Sequence, residues 1–309
     1  MPRNIRSSGL LLTAPILLLS ACGDDGVGFT PTPTPSAGTP TPTPTPTPAA
    51  YAQALDFSQS WTKQVQMVLL ETHYQPGPVY DYGVSTLFSD PTTVEVSYTA
   101  GDRQAAVTIG GQTWAFTAST IDSDDATGRL YKRSSGTLLS FLQPETDLKY
   151  VAWGNLSEPY AVAGSASRYF LFGASTRTAD VPATGSVTYQ ARLVTTSPET
   201  DGGSGFEADI PVQIDYAAGT IGGAFTAVQT SAGSTGAPIS MEMVLRGTYN
   251  AADGTFTGEV LSPCLCNVYG QFTGKFYGPE AKEIGLLVRF TIPYVPVVDV
   301  IGTIMGGKS

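Results

Sequence analysis

The sequence has few of the residues on which catalytic and metal sites depend. Of its 309 residues, one is a histidine and three are cysteines. A single histidine, His73, excludes a multi-histidine metal site, and we expect no Ser-His-Asp or Cys-His catalytic set around it. Asp122, Asp124 and Asp125 form a carboxylate cluster, which is more typical of a solvated loop than of a hydrolase. We therefore predict a protein that is not an enzyme, with no catalytic residue, no metal site and no required cofactor.

Positive charge is also scarce. The chain has 16 Lys and Arg against 26 Asp and Glu, which gives a formal net charge of −10, and it contains no basic run. Nucleic acids and anionic membrane surfaces both attract basic patches, so neither is an expected partner. Only 14% of the residues are charged, while Gly, Thr, Ser and Ala are abundant, a composition typical of secreted all-β proteins.

No apolar run is long enough to cross a membrane as a helix. The longest one near the N-terminus, residues 9–19, follows two arginines and is interrupted by Pro15, whereas a span needs about 20 apolar residues. These features describe a secretory signal peptide over residues 1–21. The run Leu19-Ser20-Ala21-Cys22 resembles a bacterial lipoprotein lipobox, which implies cleavage before Cys22 and lipidation of its thiol, with palmitate among the acyl chains.

The residues after Cys22 predict a tether, with the linker extending over 22–50. Residues 30–48 are almost entirely a Thr-Pro repeat. Proline fixes φ and lacks a backbone N–H, so this stretch neither packs nor pairs. At about 3.1 Å per residue it spans about 60 Å. Beside a lipidated cysteine, a spacer is favoured over a Pro-rich ligand for an aromatic groove.

Strand signals dominate the remainder of the chain. Residues 51–75 are compatible with a short helix or an irregular lead-in. Residues 79–175 then show short alternating runs joined by turns such as Gly110-Gly111, which predict a small β-rich domain, the handle, over 51–180.

The second half is more regular and predicts a barrel domain over 181–309. Apolar residues alternate clearly in Ile210-Val212-Ile214. Eight such runs with one apolar face fit an antiparallel up-and-down β-barrel, and the polar opposite face favours an apolar-filled barrel in water over a membrane-spanning one. Glycines beside Phe and Tyr suit tight bends covered by rings. The predicted strands are 185–195, 206–216, 220–229, 239–249, 255–261, 268–277, 284–292 and 297–304.

The two cysteines beyond Cys22 are close together, at Cys264 and Cys266. They are too few for a disulfide framework. On one strand they share a face, slightly too far apart for an unstrained bridge. A strained disulfide and two free thiols both remain open, whereas zinc would need further ligands.

The run GKFYGPEAKEIG at residues 274–285 resembles a signature of the transferrin-binding protein B-like surface lipoproteins, a group that also includes the factor H-binding protein barrel. Residues 87–94 and 172–189 are similar to further segments of that family. In the motif we expect Gly278-Pro279 to form a turn and Glu283 to cap it or to pair with backbone there. One departure is Leu286, where the family usually has a glycine.

The resemblance implies a handle followed by an eight-stranded barrel in a monomeric lipoprotein of the outer membrane that faces the cell surface. It implies binding of a ligand in nutrient uptake: haem, a metal carrier, or a host or solute protein. A TonB-dependent receptor or a surface-export barrel would be the partner. Transferrin binders have two such lobes and this chain has length for one, so transferrin capture is not expected. The alternative is a structural or adhesive envelope lipoprotein.

One segment suggests a ligand site. Residues 73–82 place His73, Tyr74, Tyr80 and Tyr82 around a loop shaped by Pro and Gly. Histidine and tyrosine are both iron ligands of haem, so the segment is a candidate haem site. The other interpretation is that these rings pack against the sheet.

The haem hypothesis predicts that hemin added to the purified mature protein shifts its Soret band, because an axial ligand perturbs the iron. The shift should be lost in His73→Ala. A spectrum identical to that of free hemin, or a shift that survives the substitution, would contradict the site.

Overall fold

The structure is a computed structural model that describes residues 50–75, 81–88, 93–125, 128–142, 147–159, 164–196, 205–230, 239–263, 268–292 and 298–309. Residues 49–309 form one compact unit. The first eleven strands, in chain order, are β1 (Trp61–Gln64), β2 (Met67–Gln75), β3 (Asp81–Phe88), β4 (Val94–Thr99), β5 (Gln104–Ile109), β6 (Gln112–Phe116), β7 (Ile121–Asp125), β8 (Gly128–Lys132), β9 (Leu138–Leu142), β10 (Val151–Pro159) and β11 (Gly164–Gly173).

These strands form two antiparallel sheets that share a core. Their orders are β1-β4-β5-β6 and β3-β2-β11-β10-β9-β8-β7. The first sheet contributes Val96 and Phe116 to the core, and the second contributes Phe141 and Phe170, all of them buried. The β-rich character predicted for this part of the chain is therefore confirmed. Of the two interpretations of residues 51–75, the short helix is wrong and the irregular lead-in holds for residues 51–60, after which β1 and β2 follow.

The remaining strands close into an antiparallel barrel with the order β12 to β19. Their bounds are β12 (Ser186–Thr196), β13 (Gly205–Asp215), β14 (Thr220–Thr230), β15 (Ser240–Asn250), β16 (Thr255–Leu261), β17 (Tyr269–Tyr277), β18 (Glu283–Ile292) and β19 (Val298–Lys308). All eight predicted barrel strands are present, with ends shifted by a few residues. The barrel closes through pairing of β12 with β19.

Side chains fill the barrel interior. On β13, Ile210, Val212 and Ile214 are fully buried, while Pro211 and Gln213 between them are exposed. Alternation along a strand places one set inside and the other outside, so the interior is apolar as predicted.

Aromatic rings occupy the space that barrel glycines leave. A Cβ at Gly247 would lie 2.7 Å from the Phe272 ring, and one at Gly258 would lie 2.5 Å from it. Leu286, the departure from the family motif, is fully buried and lies over Gly274 on the neighbouring strand. A larger residue at any of these glycines would displace a core side chain.

One side of the barrel is apolar on its outer surface as well. Leu287 of β18 and Ile301 and Met305 of β19 point away from the interior and are buried. They pack in a third core with Leu148, which precedes β10, and with residues of the seven-stranded sheet: Val68, Leu70, Val151, Trp153, Tyr169 and Leu171. The sequence predicts one apolar face per barrel strand, but β18 and β19 need two because the sheet covers them.

Charged groups protect two exposed sheet edges. The edge strand β7 carries Asp122, Asp124 and Asp125, all exposed. The predicted solvated loop is thus a strand, in which Asp124 forms ion pairs with Arg129 (3.0 Å) and Arg103. At the other sheet, the Arg133 guanidinium donates to the carbonyl of Ala115 on edge strand β6.

We predict that Phe272→Ala lowers the free energy of unfolding by about 3–5 kcal/mol, because it removes a buried ring that packs over two glycines. Chemical denaturation of the purified chain measures this change. Tyr269→Ala is the control on the same strand, since that ring is 53% exposed. Equal losses in the two variants would contradict the packing role.

Candidate functional site at the sheet–barrel junction

The motif at residues 274–285 lies where the barrel meets the sheets. It covers the end of β17, a tight turn at Gly278-Pro279 and the start of β18. Gly278 has φ 75°, a conformation that favours glycine. A Cβ there would lie 2.4 Å from the Tyr150 ring, so glycine is also needed for the close approach of that ring. The turn expected from the sequence is confirmed. It also contacts Tyr150, just before β10 of the seven-stranded sheet.

Glu283 holds the same junction through its carboxylate. Oε1 accepts the backbone N–H of Lys149 at 2.7 Å, and Oε2 accepts those of Tyr150 at 2.8 Å and Val151 at 2.9 Å. Glu283 is 1% exposed, so these three donors replace water around a buried charge. Glu283 thus pairs with backbone, but not at its own turn as expected: its partners lie more than 130 residues earlier in the chain.

Burial raises the pKa of Glu283, and the three backbone N–H groups oppose that shift. A folded-state pKa above the unfolded value means that the folded chain binds this proton more tightly. The contribution of Glu283 to stability is therefore fully present below the unfolded pKa and falls as the pH rises through the folded one.

Further hydrogen bonds join the same two parts. The Thr176 hydroxyl donates to the Gly278 carbonyl at 2.7 Å, and the Thr273 hydroxyl donates to Gln66 Oε1 at 3.1 Å. Tyr169 on β11 is hydrogen-bonded to Thr196 at the end of β12, and burial raises its pKa to about 12. The contacts extend along the whole interface, so they oppose rotation of the barrel against the sheets.

A cluster of tyrosines closes the barrel at its junction end. The Tyr189 hydroxyl donates to the Ala281 carbonyl at 2.5 Å and lies 3.0 Å from the Tyr216 hydroxyl. Tyr249 donates to the Tyr216 carbonyl at 2.9 Å, and burial raises the pKa of Tyr189 strongly. These hydrogen bonds hold the tyrosine rings in place at this end of the barrel.

Two depressions flank the junction. The smaller one, which we call the junction crevice, has a cavity volume of about 50 Å³. It is lined by Lys63, Gln64, Val65, Gln66, Leu171, Phe172, Gly173, Ser175, Thr273, Gly274, Lys275, Tyr277 and Leu287. The larger is an open cleft of about 730 Å³ that includes Asp147, Lys149, Arg192, Asp209, Lys282 and Lys308. The cleft has charges of both signs, whereas the crevice lining contains lysines and no carboxylate.

The residues of the candidate haem site lie on strands where the structure describes their backbone. His73 and Tyr74 are in β2 and Tyr82 is in β3, with Tyr74 paired to Tyr82 and His73 paired to Gly83. The loop predicted over 73–82 is therefore wrong at both ends. Tyr80 lies outside the described residues, and haem binding remains a prediction.

The cysteines also remain predictions. Cys22, Cys264 and Cys266 lie outside the described residues. Within the described ranges, no group of three or more His, Cys, Asp or Glu side chains is placed to hold a metal ion. In those ranges no helix is long and apolar enough to cross a membrane.

Lys63 and Lys275 were not predicted to share a site. They are 212 positions apart in the chain, on β1 and β17. Lys63 is part of no recognisable motif, and Lys275 lies in the run 274–285, whose resemblance gives it no role. Only the docking of the sheets on the barrel brings them to one crevice.

No family model and no curated protein sequence matches the chain. Its fold is similar to that of solved transferrin-binding protein B structures, the group that residues 274–285 resemble. A single-residue variant from Haemophilus parasuis aligns over 79% of this chain and 45% of that one, with 14% identity and a TM-score of 0.46. The isotype 1 protein of serogroup B Neisseria meningitidis aligns over 79% and 43%, with 14% identity and a TM-score of 0.40. The chain thus aligns with less than half of either protein.

We predict that Glu283→Ala lowers the free energy of unfolding by at least about 3 kcal/mol, because three buried N–H groups lose their acceptor. Because folding raises the pKa of Glu283, the loss should be larger at pH 5 than at pH 7. Urea denaturation at the two pH values measures both effects. Lys282→Ala, at the exposed neighbouring position, is the matched control, and similar curves for the two variants would refute the role of the carboxylate.

Proposed function

We propose that the protein is a lipid-anchored lipoprotein of the outer membrane, displayed at the cell surface, that binds a ligand for nutrient uptake. The proposal is for a binding protein and not an enzyme. The ligand classes are haem, a metal carrier, and a host or solute protein.

The observation that carries this proposal is the order of segments at the N-terminus. Cys22 follows Leu19-Ser20-Ala21, and the Thr-Pro repeat begins eight residues later. An acylated cysteine fixes one end to a bilayer, and a polyproline-type spacer keeps the folded part away from it. A protein that worked inside the membrane would have no need of such a spacer.

The folded part supports recognition on an outer surface. In the described residues the barrel interior is filled by apolar side chains and its junction end is closed by tyrosines. A ligand the size of haem does not fit inside such a core. Binding is therefore assigned to outer faces and to loops, where a rigid scaffold positions recognition residues.

The proposed partners follow from the anchoring. A monomer on a tether would pass its ligand to a TonB-dependent receptor in the same membrane, and would reach the surface through an export barrel. The filled interior also favours one alternative, a structural or adhesive envelope lipoprotein. A gene neighbourhood with such a receptor supports uptake, and one with envelope-assembly genes supports the alternative.

We predict that Cys22→Ser abolishes incorporation of labelled palmitate and releases the protein from the membrane fraction, because no other anchor is proposed. Cys264→Ser is the matched control and should keep the label. Continued labelling of Cys22→Ser would refute the lipobox.

Surface display is tested separately. Protease added to intact cells should degrade the wild-type protein, while a periplasmic marker stays protected. A protein that resists protease until the outer membrane is permeabilised would contradict surface display and leave the lipid anchor intact.

A further inference from the structure

The junction crevice has a charge unlike that of the chain as a whole. The chain carries a formal charge of −10, with 26 acidic residues against 16 basic ones. Yet the crevice is lined by two lysines, Lys63 and Lys275, and by no aspartate or glutamate. In an acidic protein such a cationic depression is a local exception, and it favours an anion.

Neither lysine is neutralised by an ion pair with a carboxylate in the described part of the chain. Both side chains are half-buried. Asp253 is near enough for the charge of Lys275 to help lower its pKa, although hydrogen bonds from Thr255 lower it more. Glu95 accepts from Gln64 at 2.9 Å. Neither of these carboxylates lines the crevice.

Neutral donors complete the lining. Gln66 accepts from Thr273 through Oε1, which leaves its amide NH₂ to donate. Ser175 contributes a hydroxyl, on a residue paired with Tyr277 in an isolated bridge. The remainder is apolar and includes Leu171, Phe172 and Leu287. An apolar floor with a few convergent polar groups is the usual construction of a small-ligand site.

We propose that the junction crevice binds a small oxyanion, a phosphate or a carboxylate, between the ammonium groups of Lys63 and Lys275. A volume of about 50 Å³ suits a group of a few heavy atoms and is too small for haem or a nucleotide. Lysine is a common phosphate ligand, and its flexible stem lets the ammonium group turn to the anion.

Because the two lysines lie on different parts of the fold, an anion bound by both would affect the stability of the protein. Lys63 is on β1 of the four-stranded sheet, and Lys275 is on β17 of the barrel. An oxyanion held by both would add a connection between the sheets and the barrel, beside the one that Glu283 makes. Binding would therefore stabilise the assembled form of the chain.

The test is a titration of the purified full chain with inorganic phosphate at constant ionic strength, read by calorimetry and by Tm, with a parallel titration with acetate. We expect saturable binding of at least one of the two and a rise in Tm. Each of Lys63→Gln and Lys275→Gln should weaken the Kd by about tenfold or more, since each removes a charge-assisted hydrogen bond. Lys132→Gln, at an exposed position on β8, should leave the Kd unchanged.

The phosphate and acetate titrations together identify the chemical class of the bound anion. Saturation by phosphate alone indicates a tetrahedral anion, and saturation by acetate indicates a carboxylate. A Tm rise that chloride reproduces at equal ionic strength, or a Kd that is the same in wild type and both single variants, would overturn the proposal. Because the single variants are read by calorimetry as well, a loss of stability in one of them does not mimic a loss of binding.

Discussion

The arrangement of this molecule depends on one buried carboxylate that accepts three backbone N–H groups from a distant segment. Glu283 begins β18, and its donors at residues 149–151 lead into β10. Once that contact forms, the Tyr150 ring lies against Gly278, and the seven-stranded sheet covers the apolar outer surface of β18 and β19. Without the contact, those surfaces would be exposed to water together with three unsatisfied donors. The contact at the Gly278 turn, the third core and the junction crevice therefore all depend on how the seven-stranded sheet is placed against the barrel.

The placement of the sheet against the barrel also bears on function. The barrel is a solid element, since Tyr189 and its neighbours close one end and apolar side chains occupy the interior. A solid barrel fixed to two sheets is a rigid support, and in the proposed function the residues on its outer surface would determine which ligand binds. In the proposed function the Thr-Pro segment would hold this support away from the membrane, so rigidity and distance from the lipid would come from different parts of the chain.

Much of the fold could be predicted because the information is local. Alternation in Ile210-Val212-Ile214 and turn glycines mark the barrel strands, and the motif containing Glu283 indicates backbone pairing. Leu287 and Ile301 could not be assigned, because an outward apolar residue is explained only by the sheet that covers it. The strand that contains His73 could not be predicted for a similar reason, because Gly164, the residue paired with His73 on β11, is 91 positions away in the sequence. Lys63 and Lys275 have no local signal that joins them.

The acidic edge of the seven-stranded sheet has a consequence for the proposed lipid-anchored state, in which many copies would lie side by side. Lipid-held molecules are confined to a plane, where their local concentration is high and encounters between sheet edges are frequent. A second copy that added a strand to β7 would bring Asp122 and Asp125 of the two copies close together, whereas Asp124 is already paired with arginines. Electrostatic repulsion makes that growth unfavourable, so copies held on one membrane as proposed would stay separate, with their outer faces accessible.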